Sequence, residues 1–184
     1  MREIVFFLEE RSAEALIDQI FPRLFKDATH RCVVFEGKQD LERQLEGKLR
    51  RYLTPHAKFM ILRDQDSGDC KSIKARLLKI CKKADKPEAL VRIVCRELES
   101  WYLGDLAAVE RGLGCKGLTS QQFKAKFKNP DKHNSAKQIL QELTNNSYRE
   151  VPGSRAIGSH MNFKNNTSTS FQAFLSGLER LIAS

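Results

Sequence analysis

The stretch Lys58-Phe-Met-Ile-Leu-Arg-Asp-Gln-Asp-Ser-Gly-Asp-Cys70 decides the fold. An apolar run from Phe59 to Leu62 leads directly into Asp64, Asp66 and Asp69. A run that apolar and that short predicts a buried strand, and Ser67-Gly68 marks its end. The carboxylates then stand where a strand gives way to a loop, which is where open α/β sheets keep their chemistry. Close carboxylates repel and destabilise one another unless a cation neutralises them. On spacing alone the stretch fits half of a divalent-metal site and a solvated acidic turn about equally well.

Outward from this stretch the chain alternates strand-like and helix-like patterns. Glu3 to Leu8 predicts a first strand too apolar to be half-exposed, and a helix follows with Ala15, Leu16, Ile20 and Leu24 on one face. Ser12 is its expected N-cap, and Pro22 is expected to disturb its end. Arg31 to Phe35 predicts a second strand, and Leu41, Leu45, Leu49 and Leu53 make the stripe of a helix over 40–53. After the third strand come a helix over 72–83 and a fourth strand over 89–95. Alternation of this kind predicts an α/β, Rossmann-like sheet of four parallel strands with right-handed crossovers, flanked by helices. The ends of strands one, three and four then share an edge. That edge gathers Glu9 or Glu10, Asp64 with Asp66, and Glu97 or Glu99, with Glu97 favoured as nearer its strand.

Beyond Glu99 a helix is expected over 100–111, and then periodicity fades. Residues 1–110 read as the α/β core and 111–184 as a mostly helical extension packed on it. Within the extension, Lys124, Lys126 and Lys128 interleave with Phe123 and Phe127. That pattern suits phosphate contact and equally a basic helix face pinned by core aromatics. A helix is expected over 135–143, an irregular segment over 145–166, and a final helix opened by Ser168-Thr169-Ser170-Phe171. Tyr102 reads as a packing residue rather than a nucleophile.

Composition narrows the class. The 184 residues are 41% hydrophobic and 30% charged, and no apolar run is long enough for a membrane span. Five scattered cysteines without a C-x-x-C pair argue for reduced thiols in a cytoplasmic protein, against a zinc cluster or disulfide framework. The histidines form no metal-spaced pair. With 32 basic against 23 acidic residues the net charge is +9, which points to an anionic partner, nucleic acid above all.

The ordered carboxylates resemble a Toprim domain. The carrying residues are Glu10 and Glu14 after the first strand, one β-α unit, and then Asp64-x-Asp66 at the end of the third. The chain is similar to small stand-alone Toprim-like proteins and to the nuclease half of OLD (overcoming lysogenization defect) proteins. Glu97-Leu98-Glu99-Ser100-Trp101 and Ser168-x-Ser170-Phe171 resemble that small family's own signatures. The resemblance implies a nuclease using two Mg²⁺ or Mn²⁺ ions on DNA or RNA, the effector of an anti-phage complex with an ABC-type ATPase. It assigns Glu10, Asp64 and Asp66 to catalysis and Glu10, Glu14, Asp64, Asp66, Asp69 and Glu97 to metal. Arg11, Lys38, Lys71, Lys74, Lys124, Lys126 and Lys128 are the expected nucleic-acid contacts. A non-catalytic subunit of an ATPase complex is the alternative, and a homo-oligomer is left open. The match departs in two places, the first being that Arg11 stands where a glycine usually follows the first glutamate. Glu36-Gly37-Lys38-Gln39-Asp40 is closer to the letter of that motif, but it ends the second strand, so Glu10 is preferred.

Overall fold

The computed structural model describes residues 2–183. Four parallel strands, β1 (Arg2–Leu8), β2 (Ala28–Val34), β3 (Lys58–Asp64) and β4 (Leu90–Val94), form one sheet in the order β2-β1-β3-β4. They are joined by α1 (Arg11–Leu24), α2 (Lys38–Arg50) and α3 (Cys70–Lys83). Successive side chains of a strand point to opposite faces. Ile4, Phe6 and Leu8 therefore enter one core with α1, while Val5 and Phe7 enter another with Leu41, Leu45, Ile73 and Leu77 of α2 and α3. Burial on both faces is why β1 and β3 read as continuous apolar runs rather than alternating ones.

The remaining helices are α4 (Glu99–Leu103), α5 (Leu106–Leu113), α6 (Ala136–Leu143), α7 (Glu150–Gly158) and α8 (Thr169–Ala183). They share the α1-side core, where Trp101, Tyr102, Tyr148, Phe171 and Phe174 are fully buried. α7 lies along α1, close enough that a Cβ on Gly158 would stand 3.0 Å from Leu16 Cδ1. No described helix is long and apolar enough to cross a membrane.

Several local expectations are corrected. The helix expected over 100–111 is two, because the chain breaks at Gly104 and Asp105 restarts it by accepting the Ala108 N–H at 3.0 Å. A Cβ on Gly104 would lie 2.1 Å from Asn166 Oδ1, so the break is where a later loop presses onto the helix. The segment expected to be irregular contains α7, with Pro152 in its first turn, where no intrahelical N–H is required. α1 runs through Pro22, and Glu10 rather than Ser12 is its N-cap; the Ser12 hydroxyl donates to the Glu10 carboxylate instead. α2 stops at Arg50, which leaves Leu53 outside its stripe and 84% exposed.

That last correction can be measured. Leu45→Ala should destabilise the chain by about 2–5 kcal/mol in urea unfolding, and Leu53→Ala by under about 0.5 kcal/mol. Equal losses would contradict the observed end of α2.

Candidate functional site

Parallel register brings the strand ends level: Leu8 stands beside both Val34 and Leu62, and Asp64 beside Val94. Because β1 lies directly against β3, the two glutamates after β1 come down beside Asp64. The turn at Glu9 and Glu10 is anchored by Gly37 N–H donating to Glu9 O at 3.0 Å. Glu9 Oε2 accepts the Asp64 N–H at 3.3 Å. It also lies 3.6 Å from the buried guanidinium of Arg63, which donates to Glu42 at 2.8 Å. Burial, with the Asp66 charge adding to it, raises the Glu9 carboxyl to about 7 even against Arg63.

Asp64 is the centre of the group. Its Oδ2 accepts the Leu98 N–H at 3.0 Å, which ties the end of β3 to the turn after β4. Burial and then the charges of Glu10, Glu99 and Glu9 hold its carboxyl well above the usual carboxylate range. Glu99 opens α4 almost fully buried and accepts the Tyr148 O–H at 2.8 Å. Burial raises it to about 7 despite that hydrogen bond, with Glu10 and Glu97 adding to the effect. Asp66 sits one turn outward at φ 53°, its N–H on Arg96 O at 2.8 Å and its Oδ2 2.7 Å from Lys38 Nζ. The hydrogen bond and charge of Asp66 raise the Lys38 ammonium in turn. Beside Asp66 opens a cleft of about 330 Å³ whose lining includes Lys38, Ser67, Ser72 and Arg76.

Of the expected catalytic carboxylates, Glu10 lies within charge range of Asp64, while Asp66 couples to Glu9 and pairs with Lys38. Glu14 lies one turn into α1, where its charge, after that of Asp18, acts on Cys32 of β2. Asp69 is the N-cap of α3, accepting the Ser72 N–H at 2.7 Å. Glu97 accepts the Lys137 N–H at 2.9 Å, at the start of α6. Glu36 is exposed after β2, a strand removed from Asp64 by the sheet order. Arg11, Lys71, Lys124, Lys126 and Lys128 are exposed, and Lys74 is half-buried on α3.

Sequence reasoning offered Glu9 or Glu10 and Glu97 or Glu99 for this edge and favoured Glu10 and Glu97, whereas the structure sets Glu9 and Glu99 there as well. The signal for Glu9 was its place directly after the strand. Nothing local favoured Glu99 over Glu97, because Arg96 takes a left-handed φ of 64° and turns the chain after β4. The supporting Arg63 and Tyr148 were missed as well.

Among the described residues, Asp18, His30 and Cys32 are the one His/Cys/Asp/Glu group whose donor atoms all lie within 4.8 Å of one another. Its histidine is fixed by Asp18 at 2.9 Å and by the Phe21 ring, with centroids 4.7 Å apart. The carboxylates at the sheet edge are more widely spread, coupled through their charges rather than drawn together.

Residues 8–179 match the family described as a domain of unknown function, DUF4276. The chain belongs to this family. No curated protein matches its sequence. Among solved structures, the chain is similar to the C-terminal region of the Burkholderia pseudomallei OLD protein. The two share 16% identity over 97% of this chain and 96% of that one, with a TM-score of 0.56. The C-terminal region of the Xanthomonas campestris pv. campestris OLD protein aligns at 14% identity over 98% and 96%, with a TM-score of 0.49. The expected relation of this DUF4276 chain to OLD proteins holds as a shared fold.

The raised carboxyls set a pH dependence. A carboxyl whose pKa rises on folding stabilises the fold below its ordinary value and loses that contribution as pH climbs through the folded value. For Glu9 and Glu99 the window runs from 4.5 to about 7. The Tm of chelator-treated protein should fall across that window, and fall less in Glu99→Gln. Identical profiles for the two proteins would contradict the burial of Glu99.

Proposed function

We propose that this chain is a Toprim-type, divalent-metal-dependent nuclease. The observation that carries the reading is the convergence of Glu9, Glu10, Asp64 and Glu99 at one sheet edge, where Asp64 feels the charge of the other three. Groups that bind protons this tightly for lack of a counter-charge are suited to trade them for a cation. An all-oxygen carboxylate set selects Mg²⁺ or Mn²⁺ over zinc. Glu10, Asp64 and Glu99, with Glu9 and Asp66 alongside, would hold one or two such ions. Bound there, the ions would supply charge neutralisation at a phosphodiester and an activated water.

The chain's own residues do the rest. Arg63 fixes Glu9, and Tyr148 fixes Glu99, so neither carboxylate has to be ordered when substrate arrives. Lys38 and Arg76, at the cleft beside Asp66, meet phosphate. Glu9, held beside Asp64 by the Asp64 N–H, would add its carboxylate to the ions' oxygen set. The +9 charge draws nucleic acid to the surface. An ABC-type ATPase is the partner we propose. Support comes from the OLD match, which is itself a C-terminal region and so a part of a longer protein.

The test is cleavage of plasmid, single-stranded DNA and transfer RNA with Mg²⁺ or Mn²⁺. Asp64→Ala should lower the rate by roughly 100-fold or more. Asp69→Ala should lower stability measurably through its lost cap and leave cleavage intact. Cleavage that survives Asp64→Ala would overturn the proposal.

A further inference from the structure

A second cleft, of about 500 Å³, is unused by the carboxylate site. Its walls come from the start of α5, the short helical turns between Thr119 and Lys128, and the loop from Asn162 to Thr167. α4 links the two places: Glu99 begins it, and Gly104 on the cleft wall follows its end, roughly 8 Å along the helix.

The cleft wall resolves the paired aromatics of the basic segment. Phe127 is 2% exposed and belongs to the core, whereas Phe123 is 82% exposed and lines the cleft. An exposed aromatic ring on a cleft wall is a stacking surface. The segment beside it is tied to α4 and α5, since Gln122 accepts the Leu106 N–H at 2.6 Å and donates to Leu103 O at 3.2 Å. Asp105 is the one carboxylate on the lining, and its oxygens are already engaged by the N–H groups of Ala108 at 3.0 Å and Asn162 at 2.6 Å. The lining charges that remain are Arg111 and Lys128, both cationic, with Lys124 and Lys126 exposed next to them. The lining also holds the Asn165 amide, the hydroxyls of Thr119 and Thr167, and Asn162, whose Oδ1 already accepts the Lys164 and Asn165 N–H groups at 2.9 and 3.0 Å.

An aromatic face, amide groups and cations in a space of this size fit a nucleobase with its phosphates. The ring accepts the base's π-face, the Asn165 amide and the threonine hydroxyls meet its hydrogen-bonding edge, and the cations take the backbone. A paired base, stacked within a duplex, presents none of these surfaces together. An apolar peptide would leave the cations and amides without partners. We infer that this cleft binds one unpaired nucleobase, stacked on Phe123 with Arg111 and Lys128 on the adjacent phosphates. It thereby makes single strands the preferred substrate class of the proposed nuclease. The substrate statement rests on the nuclease reading; the binding statement does not.

The experiment is fluorescence anisotropy of a labelled short oligothymidylate and of a labelled duplex, in chelator so that no strand is cut. Phe123→Ala should weaken oligothymidylate binding about tenfold and leave duplex affinity within about twofold, while Phe123→Trp should restore single-strand binding. Unchanged affinity in Phe123→Ala overturns the inference, as does an equal loss on both ligands, which would be plain electrostatics. Failure of the wild type to bind oligothymidylate overturns it too. An Asp64-dependent cleavage activity would stand through any of these results, so the two readings fail separately.

Discussion

Carboxylates that share a poorly solvated edge of a sheet repel one another through their charges, and the architecture around them is what keeps them there. Asp64 is held by the Leu98 N–H, Glu9 by the Asp64 N–H and Arg63, and Glu99 by the Tyr148 hydroxyl. Each support comes from a different part of the chain, so the arrangement exists only in the folded state. The cost shows as carboxyls raised to about 7 at Glu9 and Glu99. Carboxyls shifted this far by burial and by one another, at adjoining strand ends, are what the proposed metal site requires.

Packing explains how the site survives. β1 and β3 are buried on both faces, so a shift of register by one residue would exchange one apolar core for the other. The helices after β4 add the larger part of the α1-side core and contribute Tyr148 through the segment leading into α7. In this sense the C-terminal helices are part of the site's support. Tyr102, bonded to Ser154 at 2.7 Å, belongs to the same buried polar layer.

The sheet and its strand ends were legible because they depend on local apolar runs and on the alternation of strand with helix. The Asp-x-Asp and the glutamates after β1 followed from that reading. Asp69, which the resemblance assigned to metal, caps α3 instead. What escaped depends on contacts between distant residues. Glu99 rather than Glu97 approaches Asp64 because of a left-handed residue at Arg96. α7 forms through a proline and glycines because Tyr148 and α1 pack against it. Phe123 and Phe127 have the same local pattern, and only the fold decides that one is core and the other cleft wall.

The central claim is that the sheet-edge carboxylates exchange protons for a hard cation. Titration calorimetry with Mn²⁺ tests it most directly when run near pH 6.5 in two buffers of different ionisation enthalpy. The account predicts binding accompanied by proton release, with both lost in Asp64→Asn. Binding without proton release, or identical binding by the variant, would contradict it.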